Sequence, residues 1–339
     1  MFSIHNQYKA QLLLGFIFLF SSCDAPPKSR FKGRTMGTTY EVILGEALQQ
    51  DNLNIIHSKI DSLLGVINQQ MSVYIGNSDI SKFNERDVFT PRALPNMFNQ
   101  VMDRSLHWYA ESNGAFDITV MPLVNEWGFG TKEKIQFTPQ KNKIESILTF
   151  VGSDKLLLEN NSLSKTDPNV QIDLGAVAKG FAVDAIGIIL TKHNINNYYI
   201  EIGGEIKCKG VNAEGKIWTI GIQLPDRNVQ NQLIETVSLN NKAIATSGDY
   251  KNFIELNGQY YSHSIDPKTG YPVNNNIASV SVIAPNCMDA DAIATALMIK
   301  SINEGTIWVN SLKSIEAMWV IREKNGIYST HSSDGFLNN

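Results

Sequence analysis

A chain of 339 residues, 43% apolar and 18% charged, holds enough apolar material for a large buried core. Its formal net charge is −4, and no basic stripe or Lys/Arg cluster is present, which excludes binding driven by neutralising nucleic-acid phosphates. No fixed-period repeat or low-complexity tract marks a solenoid or an unfolded chain.

The N-terminus reads as an export signal rather than part of the fold. Lys9 precedes the apolar run from Leu12 to Phe20, and Ser21-Ser22-Cys23 follows. The run is too short to cross a bilayer, which takes about 20 residues. Small residues directly before a cysteine resemble a bacterial lipobox. That motif implies a lipoprotein signal peptide over 1–22, cleavage before Cys23 and lipid attached to Cys23. An ordinary signal peptide with an incidental cysteine is the alternative. Residues 23–30 form a tether with Pro26-Pro27, and a single domain is expected over 31–335. Only Cys208 and Cys287 then remain. The sequence does not show whether they pair, and neither has a partner at zinc-ligand spacing.

In chain order, residues 31–44 alternate and predict a strand, interrupted by Met36-Gly37-Thr38, where a glycine marks a bulge or a ligand's close approach. Ile56, Ile60, Leu63, Leu64, Ile67 and Met71 make one apolar face of a helix over about 48–71. Residues 78–84 predict a capped single turn. A second helix runs from Pro95 to about Ser112, with Asn113-Gly114 ending it. Trp127-Gly128-Phe129-Gly130 is either a hydrophobic lid or a wall for a flat ring. A short helix over 139–150 and a hairpin across Asn160-Asn161-Ser162 come next. The stretch 171–180 predicts a strand leading into a helix, with Lys179 in its first turn. Backbone N–H groups and the helix dipole would face an anion there, although the Walker A spacing is absent. Strands are expected at 198–202, 205–210, 218–223, 234–239, 243–246, 252–256, 280–284, 315–321 and 327–330. The pattern is α+β: an antiparallel sheet with helices packed on one side.

Two stretches carry candidate chemistry. His263 stands before the rigid Asp266-Pro267-Lys268-Thr269-Gly270 turn, either as a general base or as a loop hydrogen-bonding group. Asp289-Ala-Asp291-x3-Thr295 places Asp291 and Thr295 on one helix face. Hard oxygen ligands of this kind suit Mg²⁺. An acidic first turn, with Asp289 capping and Thr295 bonded to its own helix, accounts for the same residues.

Eight motifs in order resemble the FAD:protein FMN transferase (ApbE) family over nearly all of the mature chain. They are Met36-Gly-Thr; Ser72-Val-Tyr74 with Ser78-Asp-Ile-Ser-Lys-Phe-Asn84; Gly114-Ala-Phe-Asp117; Asp173-Leu-Gly-Ala-Val-Ala-Lys-Gly180; Gly203-Gly-Glu205; Ala245-Thr-Ser-Gly-Asp-Tyr250; His263-Ser-Ile-Asp-Pro-Lys-Thr-Gly270; and Asp289-Ala-Asp-x3-Thr295. Ser264 is a small departure from the family pattern. The resemblance implies a duplicated, T-fold-like α+β sandwich and a Mg²⁺-dependent transferase. Such an enzyme cleaves FAD, attaches FMN through a phosphoester to a Ser or Thr of an acceptor flavoprotein, and releases AMP. It further implies Mg²⁺ on Asp291, Thr295 and the Ala176 carbonyl, with Asp289 a direct or water-mediated ligand or a cap. Lys179 would face the phosphates. Met36, Tyr74, Ala115, Phe116, Asp117, Asp173 and Ile265 would line the flavin and adenosine, and His263 would be the base. Acceptors would be flavin-bearing subunits of membrane electron-transport complexes or exported flavoproteins. The lipid anchor would hold the chain on the membrane, at the periplasmic face of the inner membrane. Two other readings stay open: an FAD pyrophosphatase, and a lipid-tethered flavin-binding protein without turnover.

Overall fold

The computed structural model describes residues 29–86, 91–131, 135–226, 232–249, 253–256, 259–324 and 326–336; the signal, Cys23 and Tyr250 lie outside them. Eight strands form one antiparallel sheet in the order Arg30–Thr35, Thr38–Leu44, Tyr198–Ile202, Glu205–Lys209, Lys242–Gly248, Ile277–Ala284, Glu316–Arg322 and Tyr328–Ser332. The first four strands and the last four repeat one plan. Each set runs in chain order across the sheet, with helices inserted between its second and third strands. This is the expected duplication seen as topology.

The two sheet faces bury different partners. On strand Lys242–Gly248, Ala243 and Ala245 face the large core beneath the helices, while Ile244 faces the opposite side. That opposite side corrects the expectation of one large sheet. Strands Trp218–Gln223 and Leu233–Leu239 do not join it. They form a separate hairpin whose Trp218, Ile220, Ile222, Val237 and Leu239 cover its second face. The alternation was legible, but partner choice is set by the apolar face left uncovered. Among the described residues, strand Phe253–Leu256 likewise pairs only with Gln259–Ser262.

Three further expectations shift. Residues 31–44 are two strands of a hairpin, because Met36 and Gly37 both take positive φ (49° and 72°), the signature of a tight hairpin turn. Residues 171–174 belong to no strand. Asn84 replaces the ladder, donating to the Ile172 carbonyl at 2.9 Å and accepting from Ile172 N–H at 2.8 Å. The helix Ile302–Ser311 was not anticipated, although Ser301 and Glu304 form a capping box whose spacing is visible in the sequence.

The helix Gln50–Met71 buries its expected apolar stripe, with Leu63 only half-buried, and Asn96–Glu111 buries Phe98, Val101, Met102 and Trp108. Trp127 closes a smaller core with Leu123, Ile144, Ile147, Val151 and Ile265. Its indole N–H donates to the Gly270 carbonyl at 2.8 Å, the lid reading of that loop.

Candidate active site

The site is organised by two helices, Ala178–Lys192 and Cys287–Ile299. The second is buried on nearly every side, which explains its alanines at 290, 292, 294 and 296. The two helices cross at Gly180. A Cβ there would lie 2.4 Å from the Cys287 carbonyl oxygen and 2.7 Å from Met288 Cα. Each helix start is then capped by a carboxylate of the other. Asp291 accepts from Gly180 N–H at 3.1 Å. Asp184 accepts from Cys287 and Met288 N–H at 2.9 Å each, and its charge is paired with Lys207 at 2.6 Å. Carboxylates at helix N-termini gain both the free N–H groups and the dipole.

Around Asp291 stand Lys179, Glu205, Thr295 and Ser247. Lys179 Nζ is 2.5 Å from Glu205 Oε1 and 3.9 Å from Asp291 Oδ1. Thr295 Oγ1 is 3.2 Å from the Asp291 carbonyl and 3.4 Å from Ser247 Oγ. Burial pushes the Asp291 carboxyl up, against Lys179 and the Gly180 N–H. Burial likewise raises Glu205, with Lys179 opposing and Asp291 adding. Burial pulls the Lys179 amine down, yet Asp291 and Glu205 outweigh it and hold it above the usual lysine range. Glu205 had no role in the sequence reading beyond its motif. Gly203 and Gly204, at φ 63° and 110°, make the hairpin turn that sets it at the start of its strand.

These residues fit a divalent cation. Two buried carboxylates share one lysine, so the cluster carries excess negative charge. Glu205 Oε2 is buried with no hydrogen-bond partner. Among the described residues no group of three His, Cys, Asp or Glu could hold a metal. A cation at Asp291 therefore depends on neutral oxygens: Thr295 Oγ1 and the carbonyl of half-buried Ala176 in the 175–177 turn.

Asp289 stands apart from this cluster. Its Oδ1 accepts from Arg104 Nε at 2.5 Å and Trp108 Nε1 at 2.7 Å. Its Oδ2 accepts from Arg104 Nη2 at 2.7 Å and Asn286 Nδ2 at 2.6 Å. Both oxygens are engaged, so the structure does not favour the ligand reading. Nor is Asp289 the cap: Asn286 caps the helix, accepting from Asp289 N–H at 2.8 Å. Burial alone would raise the Asp289 carboxyl, but Arg104, Trp108 and Asn286 hold it below the ordinary range. An Asn-x-x-Asp spacing and an Arg/Trp pair four residues apart were the signals for this arrangement.

The expected nucleotide-lining residues divide. Tyr74 is 74% exposed, with Asp173 close enough to raise its phenol after burial. Asp173 N–H donates to the Ile118 carbonyl at 2.8 Å, and its Oδ1 accepts from Gly175 N–H at 2.8 Å. Burial raises its carboxyl. These contacts bring the 72–74, 114–118 and 171–176 segments together. Ala115, Phe116 and Ile265 are core side chains, and Met36 is half-buried on its turn, packed against the core. Asp117 is buried and committed, accepting from Thr119 Oγ1 at 2.7 Å and Ser153 Oγ at 2.6 Å; burial nevertheless raises it. It lines a cavity of about 300 Å³ with Gly114, Gly152, Pro267 and Lys268. A second cleft of about 450 Å³ has Ser262, Tyr261, Asn275 and the Asp249–Arg322 ion pair in its wall. His263, half-buried, lies on the segment between these clefts, and its ring meets Phe129 edge-on at 6.4 Å. Cys208 and Cys287 are both free and buried.

The ApbE family profile matches residues 36–319. The chain belongs to the ApbE family. It is 36% identical over 330 residues to the FAD:protein FMN transferase of Vibrio cholerae, covering 96% of this chain and 97% of that one. Its identity to the enzyme of the same name from Haemophilus influenzae is 37% over 310 residues, covering 90% and 89%. The solved flavin transferase ApbE from Vibrio cholerae superposes with a TM-score of 0.83 at 34% identity, over 92% of this chain and 99% of that one. The Thermotoga maritima ApbE protein superposes at 0.80 with 26% identity, over 92% and 98%. All eight sequence motifs begin within the span that the ApbE profile matches.

Proposed function

We propose that this chain is an FAD:protein FMN transferase that uses Mg²⁺. Its substrates are FAD and a Ser or Thr hydroxyl of an acceptor flavoprotein, such as a subunit of a membrane electron-transport complex or an exported flavoprotein. The observation that carries the reading is the buried Asp291–Lys179–Glu205 cluster beside Thr295, in a chain aligned along nearly its whole length with named transferases.

Asp291, Thr295 and the Ala176 carbonyl would hold the ion, which when bound would neutralise the pyrophosphate and polarise its bridging bond. Lys179 adds a second positive charge for the phosphates. Asp173 and Tyr74 sit where a nucleotide entering between the 72–74 and 171–176 segments would meet them. His263, on the segment that joins the walls of the two clefts, would be the general base for the acceptor hydroxyl. It takes the hydroxyl proton as the oxygen attacks the FMN phosphorus. The O–P bond forms, the pyrophosphate P–O bond breaks, and AMP leaves. The acidic groups Asp117 and Asp289 hold the scaffold in this reading. Cys23, cleaved and lipid-modified, tethers the chain to the membrane at the periplasmic face.

The test is AMP release from FAD and Mg²⁺ with and without an acceptor domain. Release that depends on the acceptor supports transfer. Equal release with FAD alone would make the chain a pyrophosphatase, and intact FAD in both would make it a binding protein.

A further inference from the structure

We infer that Glu205 is a positioning residue that holds the Lys179 ammonium off Asp291 and thereby keeps Asp291 open to a divalent cation. The inference rests on the reading of Asp291 as a metal-holding residue.

The geometry is a competition for one lysine. Lys179 Nζ lies 2.5 Å from Glu205 Oε1 but 3.9 Å from Asp291 Oδ1. Direct ammonium–carboxylate bonds are about 2.7–2.9 Å long, so only the Glu205 contact is a bond. Asp291 Oδ2 takes the Gly180 N–H, leaving Oδ1 as the oxygen that the lysine and a cation would both seek. A lysine bonded to Oδ1 would neutralise that carboxylate and occupy its lone pairs. Glu205 prevents this by offering a nearer anion.

Glu205 is built for that task. Its side chain is only 5% exposed, so water does not compete strongly for the lysine. It opens strand Glu205–Lys209, paired with Ile202 directly across the Gly203-Gly204 turn, so its carboxylate hangs from a fixed backbone. Lys179 reaches it from the first turn of another element. The trio carries a formal charge of −1, and a cation would hold both carboxylates ionised against the burial that raises them.

Mg²⁺ binding to the intact protein, followed by calorimetry without FAD, tests this together with a crystal structure of Glu205→Gln. Glutamine keeps the shape and removes the charge. The expected result is Mg²⁺ binding weaker by about tenfold or more, with Lys179 Nζ in hydrogen-bond contact with Asp291. Glu205→Asp keeps an anion on the same strand and is expected to bind Mg²⁺ more tightly than Glu205→Gln. If the glutamine variant does not fold, Glu205→Asp is read against wild type: its shorter side chain partly releases Lys179 and weakens Mg²⁺ binding, and wild-type affinity overturns the inference. Unchanged affinity in Glu205→Gln, a lysine still resting on residue 205, or an aspartate variant weaker than the glutamine one overturns the inference. Wild-type protein that binds no Mg²⁺ overturns the Asp291 reading itself, a separately readable failure.

Discussion

Gly180→Ala puts one methyl group where the two central helices touch. The new Cβ would sit 2.4 Å from the Cys287 carbonyl oxygen and 2.7 Å from Cys287 C and Met288 Cα. All three are backbone atoms, so no side chain can swing aside. Ordinary contact starts at 3.4 Å, so the helices must part by roughly 1 Å. The Gly180 N–H to Asp291 bond, now 3.1 Å, would then exceed hydrogen-bond length. Overpacking of this kind costs about 1–3 kcal/mol. Alanine returns up to about 1 kcal/mol of helix propensity. The expected net loss is therefore about 0–2 kcal/mol, toward the upper end because every clashing atom is backbone, and is read as a lower urea midpoint at unchanged slope. AMP release should fall further than stability does, because Asp291 loses its orienting N–H. Gly65→Ala is the control: that glycine is helical and exposed, with nothing within 4 Å of a Cβ, so alanine should stabilise. A Gly180→Ala protein with wild-type midpoint and wild-type AMP release would refute the close crossing.

Three further outcomes follow from named contacts. Asp289→Asn should cost about 2 kcal/mol, less than the roughly 3–5 kcal/mol of a fully buried pair, because the Arg104 side chain is a third exposed. It should leave Mg²⁺ affinity intact, as calorimetry will show. The Asp289 carboxyl is held below its ordinary 3.8, so its contribution is present above that pH and lost as pH falls through the lower folded value. Wild-type stability should therefore drop more steeply than that of Asp289→Asn in acid urea titrations below about pH 4. Asp291→Asn keeps the shape of a buried group and should remove Mg²⁺-dependent thermal stabilisation and transfer, while circular dichroism stays native. Cys23→Ala should move the protein from the membrane pellet to the soluble exported fraction.

The sequence showed what local chemistry controls. The Ser78 cap, the stripe on Gln50–Met71 and the turn at Asn160-Asn161 each follow from residues within a few positions. It did not show which strands share a sheet, since Trp218–Gln223 alternates as cleanly as the strands it covers. The site divides in the same way. Asp291 and Thr295 were singled out by type and spacing and Lys179 by its place in a helix's first turn, and the fold brings Lys179 to Asp291 across 112 positions. Glu205 was hidden because its partner, Lys179, lies in another element. The partners of Asp289, Arg104 and Trp108, could not be read because they are more than 180 residues away. An acidic pair on one helix turn does not reveal which carboxylate faces a cation and which faces an arginine.

The central claim is covalent transfer of FMN, and intact mass of the acceptor tests it most directly. Purified protein, FAD, Mg²⁺ and a family-matched acceptor domain should yield an acceptor heavier by one FMN less water. Asp291→Asn under the same conditions should yield none. An acceptor of unchanged mass with the wild-type protein, while FAD is bound, would contradict the account.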